Sequence, residues 1–308
     1  METIKKYPLL IIGAGPAGLT ASIYASRYIL PHLVIGEAPG GLMFEAHHIC
    51  NFPTEKEITG AEITAKIQQQ AESLGAPLLI DQVTRISSPP DFQVTTCQGK
   101  KLLAENIILA TGTQHRQLGL PEEKKFLGRG LSYCATCDAP FYQGQTVAVI
   151  GGGDSANTAS LYLAKIAKKV YQIHRRSQLT GERAWANQVI SHPQIEVVNE
   201  REVIALEGEN KLQAIVLNQP YQGKERIPLQ GVFVEIGVIP RQDLLTQLEL
   251  ETDTQGYIKV KADQTTSREH IWAAGDITDG SNGLRQIITA CSEGAIAAYS
   301  VFNSIQKN

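Results

Sequence analysis

Two glycine-rich turns, each set between an apolar strand and a helix, constrain this chain more than any other feature. The first runs from Leu9-Leu10-Ile11-Ile12 through Gly13-Ala14-Gly15-Pro16-Ala17-Gly18 into Leu19–Arg27. The second runs from Thr146–Ile150 through Gly151-Gly152-Gly153-Asp154-Ser155-Ala156, with alanine in place of the third glycine. In this context a Gly-x-Gly-x-x-Gly/Ala pattern allows a tight turn, close backbone approach to a pyrophosphate, and close packing of helix on strand. The phosphates then rest on a positive helix N-terminus. One such match has a bland alternative, a glycine turn with no ligand. Two in one chain point to an α/β protein with two Rossmann-like three-layer dinucleotide-binding domains. A length of 308 residues has room for both.

The strand after each turn differs at its end. His32–Gly36 ends at Glu37, where a carboxylate binds a ribose hydroxyl. Lys169–Ile173 ends instead in His174-Arg175-Arg176. Arginines there accept a 2′-phosphate through charge-assisted contacts, which favours NADPH over NADH. The bland alternative is a solvated basic strand end. Between the two units Leu78–Leu103 alternates and carries turn signals (Ser88-Pro89-Pro90-Asp91 and Gln98-Gly99-Lys100), and this predicts an antiparallel meander. Asn106–Gly112 reads as a buried strand closing the first unit, and Gly60–Leu74 as an amphipathic helix. The polar stretch Thr113–Gly130 reads as a crossing into a second domain and Val238–Arg241 as the return. The expected domains are 1–114 with 244–308, and 115–243. Near the end, Glu269–Asp276 reads as a strand ending in an acid. A helix from about Arg285 to Phe302 follows, with small residues in its early turns.

Ahead of the second turn lies Ser132-Tyr133-Cys134-Ala135-Thr136-Cys137-Asp138. Two cysteines separated by two residues can close a small, reducible loop suited to electron transfer. The alternative is half of a zinc site, which needs two more ligands at similar spacing. The sequence has no second Cys-x-x-Cys and no His-x-x-x-His, and Cys50, Cys97 and Cys291 stand alone. His47 and His48 are adjacent, so they point apart and make poor joint ligands. No metal site is expected.

Composition narrows the class further. A net charge of -3 without basic runs argues against nucleic acid as a partner. No apolar run approaches the roughly 18 residues of a membrane span, and Met1–Pro8 lacks a signal-peptide core. Five cysteines do not make a secreted disulfide framework. A cytoplasmic location is expected.

In this order, the two fingerprints, the cysteine pair and Ala273-Ala274-Gly275-Asp276 resemble the low-molecular-weight thioredoxin reductases over nearly the whole length. Asn51-Phe52-Pro53, Ala110-Thr111-Gly112 and Arg285-Gln286 also match, and Cys134–Asp138 is that family's redox motif as it stands. The resemblance implies an FAD domain built from both chain ends, a pyridine-nucleotide domain inserted into it carrying the disulfide, and a homodimer. It implies FAD contacts from Gly13, Gly15, Pro16, Ala17, Gly18, Glu37, Gly41, Asn51, Ala110, Thr111, Gly112 and Gly275, with Asp276 holding the ribityl chain. Arg285 and Gln286 would lie near the isoalloxazine. It implies NADPH contacts from Gly151, Gly153, Asp154, Ser155, Ala156, His174, Arg175, Arg176 and Arg183. Cys137 would be the flavin-proximal sulfur, Cys134 the thiolate that attacks thioredoxin or a thioredoxin-like protein, and Asp138 the acid–base residue.

Three departures stand out. The family has three residues between His-Arg-Arg and the next Arg-Ala, whereas here six residues precede Arg183-Ala184, which displaces the last arginine of the phosphate clamp. Trp185 follows, a large flat ring beside the nucleotide site, and Gly40-Gly41-Leu42 replaces Gly-Gly-Gln. Three functions therefore stay open at this level. One is an NADPH-dependent reductase of a thioredoxin-like protein. The second has the same flavin and disulfide fed by ferredoxin or a second flavin, or running as a dithiol oxidase. The third is a flavin-bound redox sensor without turnover.

Overall fold

The computed structural model describes residues 4–46, 48–87 and 91–307. Met1–Thr3, His47, Ser88-Pro89-Pro90 and Asn308 lie outside the described residues. The chain divides into two compact units, one of residues 1–114 with 239–308 and one of residues 115–238. The return crossing lies five positions before the expected 243/244. The reason is packing: Arg241 pairs with Glu37, and Leu244, Leu245 and Leu248 enter the first unit's core.

The first unit is built on a sheet in which Leu78–Ile80, His32–Gly36, Lys5–Ile12 and Lys101–Leu109 are adjacent and parallel. Lys101–Leu109 divides its other edge. Its first half pairs antiparallel with Phe92–Thr96, and its last residues pair parallel with Ile271–Ala273. The expected meander is thus only partly one. Val83–Ile86, Phe92–Thr96 and Lys101–Leu109 are antiparallel, but Leu78–Ile80 follows the helix Gly60–Ser73 as a parallel strand beside His32–Gly36. A helical crossover between two strands of one sheet brings the second strand back in parallel.

Successive residues of the first strand bury on opposite faces of the sheet. Leu9 and Ile11 pack with Ala21, Ala25, Ala297 and Val301 of the helices Pro16–Arg27 and Ile287–Lys307. Leu10 and Ile12 pack with Val94, Phe92, Leu244 and Ile258 on the other face. Burial on both faces is why this strand reads as a continuous apolar run. The result is three layers with the glycine turn at the carboxyl end of the central strand.

The second unit repeats the plan. Ile195–Asn199, Lys169–His174, Thr146–Ile150, Gly231–Val234 and Leu131–Ser132 form an all-parallel sheet in that order. Val147 and Val149 face Ala156, Ala159, Leu163 and Val189 of the helices Asp154–Ala164 and Arg183–Ser191. Ala148 and Ile150 face Leu206, Ile215 and Ile227, residues of a three-stranded antiparallel sheet. Both units are Rossmann-like and three-layered. Among the described residues no helix is long and apolar enough to cross a membrane.

Candidate active site

The first fingerprint opens on a cleft of ≈ 510 Å³ in the first unit. Gly13 sits at φ +117°, and a Cβ on it would lie 2.1 Å from the Ala110 carbonyl oxygen. Gly18 packs the helix on the turn, since a Cβ there would lie 1.9 Å from the Gly13 oxygen. Gly15 differs: the nearest atom to an added Cβ is 3.9 Å away, so a side chain there would fill the cleft. The helix beginning at Pro16 has neither a side-chain cap nor an acid in its first turn, which leaves its first amides to an anion.

Most residues that the sequence assigns to FAD line this one cleft: Gly13, Gly15, Pro16, Ala17, Glu37, Gly41, Ala110, Thr111, Gly112, Gly275, Asp276, Arg285 and Gln286. Gly18 lies beneath the turn, outside the lining. Asn51 reaches the site through Gln286, donating from Nδ2 to Oε1 at 2.9 Å. Glu37 accepts from the Arg241 guanidinium at 2.7 Å. The Nε atoms of Arg241 and Arg285 are buried and have no hydrogen-bond partner among the described residues. Uncapped amides, two orphaned arginine donors and a glycine-rich floor fit an anionic dinucleotide such as FAD.

Sequence reasoning missed the residues that hold this wall. Glu293, 4% exposed, accepts from the Gly275 amide at 2.8 Å, the Thr278 hydroxyl at 2.9 Å and the Ser281 hydroxyl at 2.5 Å. It therefore clamps the loop carrying Asp276. A signal existed, because Glu293 falls on the buried face marked by Ala290, Gly294, Ala297 and Val301, where a charge needs partners. Burial pushes Asp276 up to about 6; Arg285 opposes this and Glu293 adds to it. The Arg285 guanidinium stacks on Tyr257, 3.7 Å from the ring centroid.

In the second unit Cys134 and Cys137 form a disulfide, with Cα atoms 5.4 Å apart. Cys134 precedes a single helical turn, Ala135–Asp138, and its sulfur accepts from the Cys137 amide at 3.2 Å. An amide aimed at sulfur at a helix start stabilises a thiolate there. Cys137 is the more exposed residue and Cys134 is half-buried. Asp138 is close enough to Tyr142 that its charge adds to burial in raising the phenol's pKa. Upstream, buried Glu123 accepts from the Leu118 and Gly119 amides, each at 2.9 Å, and from the Tyr133 hydroxyl, so the residue before Cys134 is tethered. Cys50, Cys97 and Cys291 are free thiols. Among the described residues no three His, Cys, Asp or Glu side chains gather as a metal site.

The second fingerprint reproduces the first. Gly151, at φ +145°, would place a Cβ 2.1 Å from the Glu235 carbonyl oxygen and 2.9 Å from the Ala156 methyl. An added Cβ on Gly153 meets nothing within 4 Å, so the turn faces open space. Asp154 and Ser155 are exposed at the helix start. His174 is buried against Gly152, and desolvation, with Arg176 and Arg175 adding to it, lowers the pKa of its imidazole. It shapes the turn, while Arg175, Arg176 and Arg183 are exposed. An open turn flanked by three exposed arginines fits a phosphorylated dinucleotide.

Comparison with known proteins agrees with this geometry. A family model for pyridine nucleotide-disulphide oxidoreductases matches residues 7–294. A thioredoxin reductase of Treponema pallidum is 40% identical over 309 residues, covering 99% of this chain and 98% of that protein. One from Bacillus subtilis is 35% identical, covering 100% and 97%. The crystal structure of Lactococcus lactis thioredoxin reductase (FR conformation) superposes with a TM-score of 0.92 at 31% identity, covering 98% of this chain and 100% of that one. The matched span takes in both glycine turns and the Cys134–Cys137 disulfide, and the chain belongs to the pyridine nucleotide-disulphide oxidoreductase family, among its low-molecular-weight thioredoxin reductases.

Proposed function

We propose that this oxidoreductase passes electrons from NADPH through FAD to the Cys134–Cys137 disulfide, and from there to thioredoxin or a thioredoxin-like protein. The observation that carries this reading is the disulfide itself, formed within the redox motif with the Cys137 amide directed at the Cys134 sulfur. When bound, FAD accepts a hydride from NADPH and delivers two electrons to a disulfide. Residues 1–114 and 239–308 serve as the FAD domain, and residues 115–238 carry NADPH and the disulfide.

The first cleft's backbone amides and Arg241 suit the diphosphate, and Asp276, held by Glu293, suits the ribityl hydroxyls. Arg285, fixed on Tyr257, and Gln286, fixed by Asn51, suit the isoalloxazine edge. In the reduced pair, Cys134 is the thiolate, stabilised by the amide at its sulfur. It attacks one sulfur of the partner's disulfide, forming a mixed disulfide and releasing one partner thiolate. Cys137 then attacks the Cys134 sulfur, restoring the internal disulfide and releasing the second thiolate. Asp138, beside the pair, moves the protons.

The exposed free thiols Cys50 and Cys97 suit a reducing compartment, which supports the cytoplasm. The homodimer rests on the family resemblance, and the mass of the holoprotein in solution tests it. Turnover is tested with NADPH, thioredoxin and a dye for free thiols. Cys134→Ser and Cys137→Ser should each lose disulfide reduction by about a thousandfold or more, as expected when one member of a cooperating catalytic unit is removed, with flavin content unchanged. Only Cys134→Ser, which frees the Cys137 thiolate, should show a long-wavelength absorption band. That band in Cys137→Ser instead would exchange the two roles.

A further inference from the structure

The six residues between Arg176 and Arg183 place the last arginine out of register with the family pattern, yet the structure shows what this segment does. Thr180 turns back onto the second fingerprint, donating its amide to the Gly152 carbonyl at 2.7 Å and its hydroxyl to the same oxygen at 3.2 Å. The Glu182 amide then donates to the Asp154 carboxylate, Oδ1, at 2.6 Å. Between them Gly181 is pressed into the turn, where a Cβ would lie 2.4 Å from that Oδ1, 2.6 Å from the Asn157 amide nitrogen and 2.9 Å from the Asp154 backbone nitrogen. The helix starts at the next residue, Arg183, and the Glu182 carbonyl accepts from the Trp185 and Ala186 amides. The backbone anchored by Asp154 is therefore one residue from the arginine.

We infer that Asp154 is a positioning residue for nucleotide specificity: by holding the Glu182 amide, it sets where Arg183 meets the 2′-phosphate of a dinucleotide bound at the second fingerprint. This rests on the NADPH reading above. An acid in the first turn of a phosphate-binding helix works against a pyrophosphate, and the first fingerprint has none. An anchoring role accounts for the acid at Asp154. An ionised acceptor makes the stronger kind of hydrogen bond, and Gly181 is the residue that lets the loop approach it.

The test is binding of 2′,5′-ADP and of 5′-AMP to the flavin-loaded protein by calorimetry. The wild type should prefer 2′,5′-ADP. Asp154→Ala should reduce that preference by roughly tenfold, the scale of one charged hydrogen bond, while 5′-AMP affinity stays within about twofold or rises as the acid's repulsion is removed. Arg183→Ala should do the same, and the double variant should be no worse than either single one, because both act on one contact. Asp154→Asn, whose amide oxygen can still accept from Glu182, should restore most of the preference. Additive losses, an unchanged preference in Asp154→Ala, or an equal loss for both ligands would overturn the inference and leave the NADPH reading standing. A wild type without preference for 2′,5′-ADP would overturn both.

Discussion

The two glycine turns have nearly the same backbone and opposite electrostatics. In each, the first glycine sits at positive φ with its missing Cβ 2.1 Å from a carbonyl oxygen, of Ala110 in one unit and Glu235 in the other. In each, the third small residue packs helix on turn. The first turn has no acid in its helix start, and its strand ends in Glu37, paired with Arg241. The second has Asp154 at the helix start, and its strand ends in His174 and two exposed arginines. On the proposed reading the shared geometry is a pyrophosphate cradle, and the strand end chooses the dinucleotide. The comparison teaches where the two units differ: on that reading the glycines form the cradle in both, and the charged residues some twenty positions on distinguish the dinucleotides.

The sharpest way to break this comparison is to fill one cradle at a time. Gly15→Val should leave the protein with no measurable FAD, a loss above ~100-fold or about 3 kcal/mol, read from the absorbance of the purified protein. Gly153→Val should keep its FAD and lose reduction by NADPH to a similar extent. If either variant shows the other's defect, the two cradles are wrongly assigned.

Next in size is the strand end. Each arginine–phosphate hydrogen bond contributes about 1.5–3 kcal/mol, lessened here by exposure. Arg175→Ala with Arg176→Ala should therefore raise the NADPH dissociation constant by well over tenfold and leave NADH within about twofold. Equal losses for both nucleotides would remove the argument from the strand end.

The smallest expected effect belongs to the first unit alone. Asp276 is pushed up to about 6 by burial, against about 3.9 in an unfolded chain. The folded state therefore holds this proton more tightly. The stabilisation is complete below pH ~4 and is lost as pH rises through about 6, a change of about 3 kcal/mol at most. In flavin-free protein, Asp276→Asn should gain thermal stability relative to wild type between pH 4 and 7. Parallel pH profiles for the two would contradict the burial of this carboxyl.

Most of the fold and the cleft were legible because glycines with positive φ and strands buried on both faces leave local signatures. Gly13, Gly151 and the run Leu9–Ile12 each announce their role within a few residues. What stayed hidden depends on long-range contacts. Nothing near Glu293 in sequence says that it clamps Gly275 and Ser281, and nothing near Tyr257 says that it carries Arg285. The direction of Leu78–Ile80 was misread because alternation does not say which neighbour a short strand takes. The six residues before Arg183 read as a misplaced clamp, since the sequence does not show a loop returning to Asp154.

Anaerobic titration of the purified flavoprotein with NADPH and, separately, with NADH tests the central claim most directly. The account predicts that NADPH bleaches the flavin and reduces the Cys134–Cys137 disulfide, so that about two thiols per chain appear, while NADH acts far more weakly. A flavin that stays oxidised with NADPH, and is bleached only by dithionite or a low-potential protein donor, would contradict it.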